Sequence, residues 1–505
     1  MTSHRRLTAL ALLSAATLAM AGCSGSAGAA PDAGAASLTW GWNLPTSWDP
    51  VTSTAGWDTH ALALVYDGLT QLDTEGEVVP GLAETWEYSA DGTAITFHLR
   101  EDAEFNDGTP VDAEAVKANL ERGRDQENST LAGQLRIITG VDVDDEHTVT
   151  IHLDQADYQV PYLFAGKTGF IVNPIAFDDV AGLATQPEGS GPFELTEYVP
   201  NARADLEKNE HYWNADRIHL DEFHVVPVTD SATVVAGVDT GQWDVAIIPP
   251  SQAQAAETAG LEVEEIKALT VRALDVDSTV APFDDQRVLQ AISHATDRQA
   301  LIDAAYFGRG IPNWQPFPEG YVAHSADLDD LYTHDVDAAK ALLAEAGHPD
   351  GLELTLALNE DDIALAEVLQ AQWAQAGIDV TLNVLPTAAI AQNYVQRTHP
   401  FVLDSYSGRQ SPLQGLEVLY GPEGLMNLGR QTPQELTDAI DVARATPTDA
   451  PDYAEKIQHA VEIGVKLQPN TFLFSWPRIL AHPAEITGIQ HWLDVQRWED
   501  VKVER

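Results

Sequence analysis

The chain has 505 residues, 27 of them basic and 78 acidic, so its formal net charge at pH 7 is −51. An acidic excess of this size argues against nucleic acid and anionic lipid as partners, because both are polyanions. The length exceeds what one compact core accommodates, so two or more lobes are expected. With a single cysteine, an intramolecular disulfide framework is excluded and the fold depends on its hydrophobic core.

The N-terminus has the three parts of a secretory signal peptide. Arg5 and Arg6 form a basic start, residues 7–20 are apolar and uncharged, and small residues stand before Cys23. The apolar run is short for a bilayer span. Small residues followed by cysteine resemble a bacterial lipobox, which implies that Cys23 becomes a lipid-modified N-terminus on the outer face of a membrane. The alternative is an ordinary signal peptide with an incidental cysteine.

Alternating residues predict a β-hairpin in the next informative stretch. Ile95, Phe97 and Leu99 alternate with polar residues, which is typical of a strand with one buried face. The turn residues at positions 91–92 are Asp-Gly, a pair that favours the positive φ angles of a tight hairpin. We therefore expect residues 86–88 to pair back onto this strand.

Helix boundaries are indicated by capping residues. Asp112 is expected to cap a helix that starts at Ala113, since an aspartate side chain accepts hydrogen bonds from the first free backbone N–H groups. Asp284 is expected to cap a second helix, whose apolar face includes Val288 and Ile292.

A βαβ unit is predicted in the second half of the chain. Residues 352–358 and 378–384 each alternate apolar and other residues, as a strand does, and residues 361–376 between them form a helix that Gly377 ends. Two strands joined by a helix of this length are expected to be parallel, with a right-handed crossover. This part of the chain is therefore predicted to be α/β.

One ordered pattern links the hairpin to the first helix. It consists of Pro80-x-Leu82-Ala83-x-x-Trp86, Asp91-Gly92, Phe97-x-Leu99-Arg100, Phe105-x-Asp107-Gly108-x-Pro110 and Ala113-x-x-Val116. This series resembles the signature of the family 5 solute-binding proteins of ABC importers, the oligopeptide-, dipeptide- and nickel-binding type. The resemblance implies an α/β fold of two lobes that close on a ligand. It is a periplasmic-binding-protein-like clamp of type II-like topology, with an extra subdomain and discontinuous lobes joined by a hinge.

The resemblance also implies a division of the chain. The expected segments are a signal peptide at 1–22, the lipidated cysteine and a flexible tether at 23–36, the main sheet of lobe I at 37–60, 187–274 and 475–505, an extra subdomain of lobe I at 61–186, and lobe II at 275–474.

Candidate ligand contacts in lobe I follow from the same resemblance. The loop after the first strand borders the cleft in the family, which makes Trp42, Asn43 and Trp48 candidates; the alternative is that the tryptophans pack the lobe. Ser190 and Gly191 lie in a Gly-Ser-Gly-Pro element that either contacts ligand or only makes a tight turn.

Candidates in lobe II lie in two loops. Trp314 is in a proline-rich loop of the kind that rims the cleft in the family, and it either contacts ligand or packs inward. Peptide-binding relatives often carry Trp-Ser-Gly-x-x-Asp-Pro where this chain has Tyr406 and Ser411, and the aspartate can hold a ligand ammonium group. Its replacement by serine removes that anchor. Arg409 remains, which suits a carboxylate if it is buried and is without a role if it is solvated.

The sequence carries no phosphate-binding loop, zinc-binding His-Glu-x-x-His motif or nucleophile elbow. We therefore expect a binding protein without catalytic residues, metal or cofactor. It would be a monomer anchored outside the cell membrane, with a peptide or other small solute and the subunits of an ABC permease as partners. The alternatives are a receptor or scavenger for a non-peptide ligand, such as a nickel chelate or an oligosaccharide, and a secreted hydrolase with paired carboxylates.

Overall fold

The computed structural model describes residues 35–504. The predicted signal peptide, Cys23 and most of the tether lie outside the described residues. The strands are β1 (Ser37–Gly41), β2 (Thr70–Leu72), β3 (Val78–Pro80), β4 (Ala83–Tyr88), β5 (Ala94–Leu99), β6 (Ile138–Asp145), β7 (Thr148–Leu153), β8 (Phe193–Val199), β9 (Arg203–Lys208), β10 (Glu222–Val226), β11 (Val245–Ile247), β12 (Glu262–Ile266), β13 (Thr270–Val276), β14 (Ile311–Pro312), β15 (Leu352–Leu358), β16 (Ile378–Val384), β17 (Phe401–Ser407), β18 (Asn470–Ser475), β19 (Arg478–His482), β20 (Ile486–Thr487) and β21 (Lys502–Val503).

Helices alternate with these strands along most of the chain. The helices are α1 (Asp58–Leu62), α2 (Ala113–Asp125), α3 (Ala132–Leu135), α4 (Val160–Leu163), α5 (Val234–Asp239), α6 (Ala253–Ala259), α7 (Gln286–His294), α8 (Arg298–Ala305), α9 (Val336–Glu345), α10 (Ile363–Gln375), α11 (Thr387–Gln396), α12 (Pro412–Tyr420), α13 (Gln434–Arg444) and α14 (Tyr453–Leu467). Among the helices that the structure describes, none combines the length and the apolar character that a membrane span needs. The mixture of helices and strands confirms the predicted α/β class.

The predicted hairpin is present as β4 and β5, which pair antiparallel with Trp86 opposite Phe97. Gly92 in the connecting turn has a φ of 71°, a left-handed conformation that glycine adopts without strain. Ile95, Phe97 and Leu99 are buried, as the alternation indicated. The hairpin belongs to a four-stranded sheet with the order β4-β5-β7-β6, and α2 packs against this sheet.

The helix caps agree with one sequence prediction and correct another. The side chain of Asp112 accepts a hydrogen bond from the backbone N–H of Ala115 at 2.8 Å, so the predicted cap of α2 is confirmed. The cap predicted at Asp284 is wrong, because Asp285 accepts from the N–H of Arg287 and α7 begins one residue later. Two adjacent aspartates are equivalent candidates in sequence, and helix packing decides between them.

A seven-stranded sheet forms the core of the first lobe, with the order β12-β19-β11-β1-β10-β9-β8. Strand β1 is at its centre and runs parallel to both neighbours, β10 and β11. Leu38 and Trp40 on β1 are buried in the core, where Trp40 stacks on Trp42 with ring centroids 5.0 Å apart. Central strands of this kind are apolar because both faces of the sheet are covered.

A six-stranded sheet forms the core of the second lobe, with the order β14-β18-β13-β17-β15-β16. Strands β15 and β16 pair parallel along their full lengths, and the helix between them is α10. Leu369 and Trp373 of α10 are fully buried in the core below the sheet. The predicted βαβ unit is therefore confirmed.

The chain crosses between the two sheets twice at closely spaced points. Residues 267–269 join β12 to β13, and Trp476-Pro477 joins β18 to β19. The backbone N–H of Trp476 donates to the carbonyl of Thr270 at 3.3 Å, which ties the crossings together. Paired crossings of this kind form a hinge between two lobes. The residue boundaries predicted for the lobes and the extra subdomain stay a prediction.

Candidate functional site

A cavity of about 790 Å³ lies against the hinge, and we call it the hinge cavity. Both crossings contribute to its wall through Lys267 and Trp476. Trp314 forms another part, with its ring nitrogen donating to the carbonyl of Tyr332 at 3.2 Å and the guanidinium of Arg298 5.0 Å from the ring centroid. Aromatic and aliphatic surface with a few charged groups at the edge is typical of a small-molecule site.

A second cavity of about 630 Å³ lies between the region of the four-stranded sheet and the segment after β17, and we call it the interlobe cavity. Residues 133–163, around the four-stranded sheet, form one wall, and residues 409–444 of the second lobe form the other. Guanidinium, amide and carboxylate groups line it, among them Gln159, Arg409 and Arg444. A cavity with these groups suits a polar solute better than a hydrocarbon.

An arginine bridges the two walls of the interlobe cavity. Arg444, at the end of α13, donates to Asp157 at 3.2 Å and to Glu417 at 2.5 Å. The backbone N–H of Tyr158 also donates to the carbonyl of Arg444 at 3.1 Å. Burial raises the pKa of Asp157, and the positive charge of Arg444 opposes that rise. The contact therefore holds a carboxylate in a poorly hydrated position only while the walls are together.

A buried group of polar side chains joins the same walls beside this bridge. The hydroxyl of Ser411 lies 2.9 Å from Oε1 of Gln159, and the hydroxyl of Tyr453 lies 3.2 Å from the same atom. Ser411 and Tyr453 belong to the second lobe, whereas Gln159 stands just before α4 in the other wall. All three residues are buried. Two hydroxyl groups of one wall therefore converge on one amide oxygen of the other wall.

A third contact links the loop after β17 to the C-terminal segment. The amide nitrogen of Gln410 donates to Asp494 at 2.9 Å, and Arg478 donates to the carbonyl of Asp494 at 2.8 Å and to that of Trp492. Burial raises the pKa of Asp494 and lowers that of Arg478 to about 10. Because Arg478 follows the hinge crossing directly, this contact couples the cavity region to the hinge.

Of the site residues predicted in the second lobe, Arg409 lines the interlobe cavity and Trp314 lines the hinge cavity. Arg409 is partly exposed, and its guanidinium donates to the neighbouring carbonyl of Gly408. Tyr406 lies on β17 and is fully buried in the core of the second lobe. Its hydroxyl has no hydrogen-bond partner within residues 35–504. Their contact with ligand stays a prediction.

The candidate ligand-binding residues near the first strand are not among the residues that line either cavity. Trp42 packs between Trp40 and His60, while Asn43 is exposed. Trp48 is fully buried against Tyr198. The two tryptophans therefore pack in the first lobe, and the predicted role of all three residues in ligand binding stays a prediction.

Ser190 and Gly191 lie where the chain passes close to the segment after α1. Both are buried, and the N–H of Gly191 donates to the carbonyl of Val65 at 3.1 Å. A Cβ atom at position 191 would lie 2.5 Å from the backbone nitrogen of Tyr66, so only glycine fits. Close backbone approach explains the glycine, and ligand contact at this element stays a prediction.

Sequence reasoning missed Gln159, Asp157, Arg444 and Tyr453. Each stands in a stretch without a recognisable motif, and each becomes notable only through a partner far away in the chain.

Within the part of the chain that the structure describes, three or more His, Cys, Asp or Glu side chains are nowhere arranged to hold a metal ion.

Comparison with known families gives one match that covers most of the chain. The family model described as "Bacterial extracellular solute-binding proteins, family 5 Middle" matches residues 77–425. This segment includes the hairpin pattern and both walls of the interlobe cavity up to residue 425.

Curated relatives agree with this match. The glutathione-binding protein GsiB of Salmonella paratyphi A is 32% identical over 327 residues, which are 63% of this chain and 64% of that protein. The di/tripeptide-binding protein 1 of Pseudomonas aeruginosa is 27% identical over 413 residues, 75% of this chain and 77% of that protein. The matched region thus spans under two thirds of the length of the glutathione-binding relative. These relatives and the family are binding proteins rather than enzymes, as the sequence indicated.

Solved structures share the fold. The periplasmic binding protein DppA from Helicobacter pylori, in complex with the peptide STSA, superposes with a TM-score of 0.81 at 22% identity, covering 93% of this chain and 98% of that one. This likeness confirms the predicted two-lobed, periplasmic-binding-protein-like clamp.

Proposed function

This chain belongs to the bacterial extracellular solute-binding proteins of family 5, and we propose that it is the solute-binding component of an ABC importer. In this proposal it captures peptides or peptide-like solutes between its two lobes. It then delivers them, chemically unaltered, to the permease.

The observation that carries the proposal is the interlobe cavity. It is large enough for a short peptide, since ligand sites for small molecules typically measure about 300–1,000 Å³. It lies between walls from two lobes that are joined by a hinge, so closure can bury a ligand. Arginine and amide side chains are the donors that peptide carbonyl and carboxylate groups require. The relatives named for glutathione and for di- and tripeptides support peptide-like solutes as the ligand class.

The proposal includes anchoring of the protein outside the cell membrane through Cys23. The support is the lipobox-like sequence, and the family's description as extracellular is consistent with it. A lipid-modified cysteine, joined to the fold by the Gly- and Ala-rich residues 24–36, would keep both lobes close to a membrane-embedded permease. In host cells, Cys23→Ser should move the protein from the membrane fraction to the soluble fraction, whereas retention in the membrane would contradict the anchor.

Thermal unfolding with candidate ligands tests the ligand class. A solute that binds the folded protein raises its melting temperature by mass action, and about 100 Kd of ligand adds about 2.7 kcal/mol of stability. We expect stabilisation by one or more members of a set of di- and tripeptides that includes glutathione. Stabilisation only by nickel chelates or only by oligosaccharides would replace the peptide proposal with a non-peptide receptor. Chemical conversion of any bound probe would contradict a transport role.

A further inference from the structure

The hinge cavity is built from elements of both large sheets. Glu265 of its wall lies on β12 of the seven-stranded sheet, whereas Pro312 on β14 and Ser475 on β18 belong to the six-stranded sheet. Beside the cavity, Arg309 in the segment before β14 donates to Glu257 of α6 at 2.9 Å and to Glu265. A molecule in this cavity therefore contacts both lobes at once.

Two tryptophans give the hinge cavity flat aromatic surface. Trp314 is fixed by its hydrogen bond to the carbonyl of Tyr332 at 3.2 Å and by Arg298, whose guanidinium lies 5.0 Å from the ring centroid. Trp476 packs edge-on against Tyr306, with ring centroids 5.9 Å apart. Both tryptophans are half-buried and both line the cavity. Rings that are held on one side and partly exposed on another offer a preformed surface for an aromatic ligand.

Ser475 has a hydroxyl hydrogen that its neighbours leave unused. The amide of Asn313 is oriented by two backbone groups, because its oxygen accepts from the N–H of Gln315 at 3.1 Å and its nitrogen donates to the carbonyl of Phe317 at 3.2 Å. The same nitrogen donates to the Ser475 hydroxyl at 2.8 Å. The Ser475 hydrogen has no acceptor within residues 35–504, and the residue lines the cavity while 8% exposed. Ser475 is therefore a donor available to a ligand.

Lys267 adds a positive charge to the same wall. It stands in the first hinge crossing, is exposed and has no ion-pair partner within residues 35–504. A Cβ atom built at Gly320 would lie 3.1 Å from Nζ of Lys267, so the amine lies against a turn that also lines the cavity. The amine is thus within the cavity wall rather than directed away from it.

Two of the three carboxylates in the wall are already engaged. Glu265 accepts from Arg309, and Asp329 lies 3.3 Å from Nε2 of His324. The third, Glu319, is exposed, as is usual for a hydrated carboxylate. The polar groups that remain for a ligand inside the cavity are therefore donors, one of them cationic.

We infer that the hinge cavity is a second ligand site, which takes a small aromatic acid. The ring packs against Trp314 and Trp476, and the carboxylate accepts from Lys267 and Ser475. This site shares no lining residue with the interlobe cavity, so it goes beyond the capture of a solute there. A free aromatic acid and the aromatic C-terminal residue of a peptide present the same ring and carboxylate, and the test separates these two sources.

Isothermal titration calorimetry of the full-length protein with matched probes tests the ligand chemistry. Phenylacetate has the ring and the carboxylate, phenylacetamide has the ring without the charge, and acetate has the charge without the ring. We expect phenylacetate to bind about tenfold more tightly than phenylacetamide, as a charged hydrogen bond allows, and acetate to give no measurable binding. Equal affinity for phenylacetate and phenylacetamide, or no binding of phenylacetate, overturns the inference.

Lysine variants place the binding in the hinge cavity. Lys267→Met should weaken phenylacetate binding about tenfold and leave phenylacetamide binding unchanged. The matched control is Lys340→Met, which removes an exposed lysine of α9 outside both cavity walls and should change neither. A preference for phenylacetate that survives Lys267→Met overturns the assignment to this cavity. Because Lys267 is exposed, this variant is expected to fold.

Two further comparisons complete the test. Trp314→Leu should weaken both aromatic probes, whereas Trp57→Leu, at a position 51% exposed and outside both cavities, should weaken neither; equal effects of the two variants contradict the aromatic contact. Alanyl-phenylalanine identifies the source: binding that Lys267→Met weakens assigns the site to peptide ends, and binding that it leaves unchanged assigns the site to free acids. Failure of these predictions leaves solute capture in the interlobe cavity unaffected, because no residue of that cavity is changed.

Discussion

Two arginine networks in this molecule use the same chemistry in different places. Arg497 lies inside the first lobe, where it donates to Glu499 at 3.0 Å and approaches Asp67 at 3.4 Å and the hydroxyl of Tyr212 at 3.3 Å. Arg444 lies between the lobes, where it donates to Asp157 and Glu417. The exposed fractions of the two arginine side chains are similar, at 7% and 11%.

The difference is in what happens when the lobes separate. The partners of Arg497 belong to one packed lobe, so its charge stays buried in every position of the hinge. The partners of Arg444 are divided between two walls, so opening replaces the Asp157 contact by water. Equal burial therefore does not imply equal function: we expect the first network to serve stability and the second to contribute to the balance between open and closed states.

The largest expected effect follows from breaking the first network. Arg497→Met leaves the buried carboxylates of Asp67 and Glu499 without their cation, and such a change typically costs about 3–5 kcal/mol. Urea unfolding should show a loss of this size. A loss below about 1 kcal/mol would show that the Arg497 network contributes no more to the free energy of unfolding than the Arg444 network is expected to contribute.

A buried carboxylate in the second lobe sharpens the comparison through pH. Asp275 accepts from Tyr394 at 2.6 Å and from Asn470 at 2.6 Å, and the same tyrosine hydroxyl lies 2.9 Å from Asp404. Burial, together with the negative charge of Asp404, raises the pKa of Asp275 from 3.8 to about 7. A raised pKa means that the folded state binds the proton more tightly than the unfolded state. The resulting stability is present in full below the unfolded pKa and is lost as pH rises through about 7.

Asp275→Asn removes this titration while preserving the shape of the side chain. Between about pH 4 and about pH 8, the free energy of unfolding of the wild type should fall relative to the variant by roughly 2–4 kcal/mol. Urea unfolding of both proteins across this range measures it. Parallel pH profiles would show that Asp275 does not titrate between these values.

Breaking the second network should have a smaller effect on stability and a larger one on shape. Arg444→Gln removes the bridge to Asp157, and we expect a loss of about 1 kcal/mol, because the freed carboxylates regain water when the lobes open. Small-angle X-ray scattering of the ligand-free variant should give a larger radius of gyration than the wild type. An unchanged radius with a loss as large as that of Arg497→Met would place Arg444 among the fixed structural contacts.

The smallest effect is expected at an exposed pair. Arg217 donates to Asp500 at 2.5 Å, but both side chains are about 40% exposed, at 43% and 40%. Exposed ion pairs contribute about 0.2–1 kcal/mol. Arg217→Gln should therefore change the free energy of unfolding by no more than this, and it serves as the control for loss of an arginine.

Features that depend on neighbouring residues could be predicted from sequence. The hairpin around Gly92 and the parallel pair β15 and β16 follow from alternation and turn residues, and both are present. The predicted cap of α7 is wrong by one residue. Asp284 and Asp285 are equivalent candidates in sequence, and only the packing of the helix decides which one caps it. Local patterns thus specify elements well and their ends less well.

The cavity contacts could not be predicted because they are non-local. Gln159 and Ser411 are 252 residues apart, and Asp157 and Arg444 are 287 apart. A glutamine or an arginine in such a stretch has no pattern that distinguishes it from a solvated side chain. Arg409 could be named as a candidate from sequence because it lies beside a family motif, whereas Gln159 becomes notable only in the three-dimensional arrangement.

We propose that the two lobes enclose a solute and release it unchanged. Mass spectrometry of small molecules extracted from protein purified out of its native host tests this claim most directly. We expect one or a few peptide-like compounds, bound in stoichiometric amount and identical in mass after prolonged incubation with fresh protein. Recovery of compounds of another class, or conversion of the bound compound to a product of different mass, would contradict it.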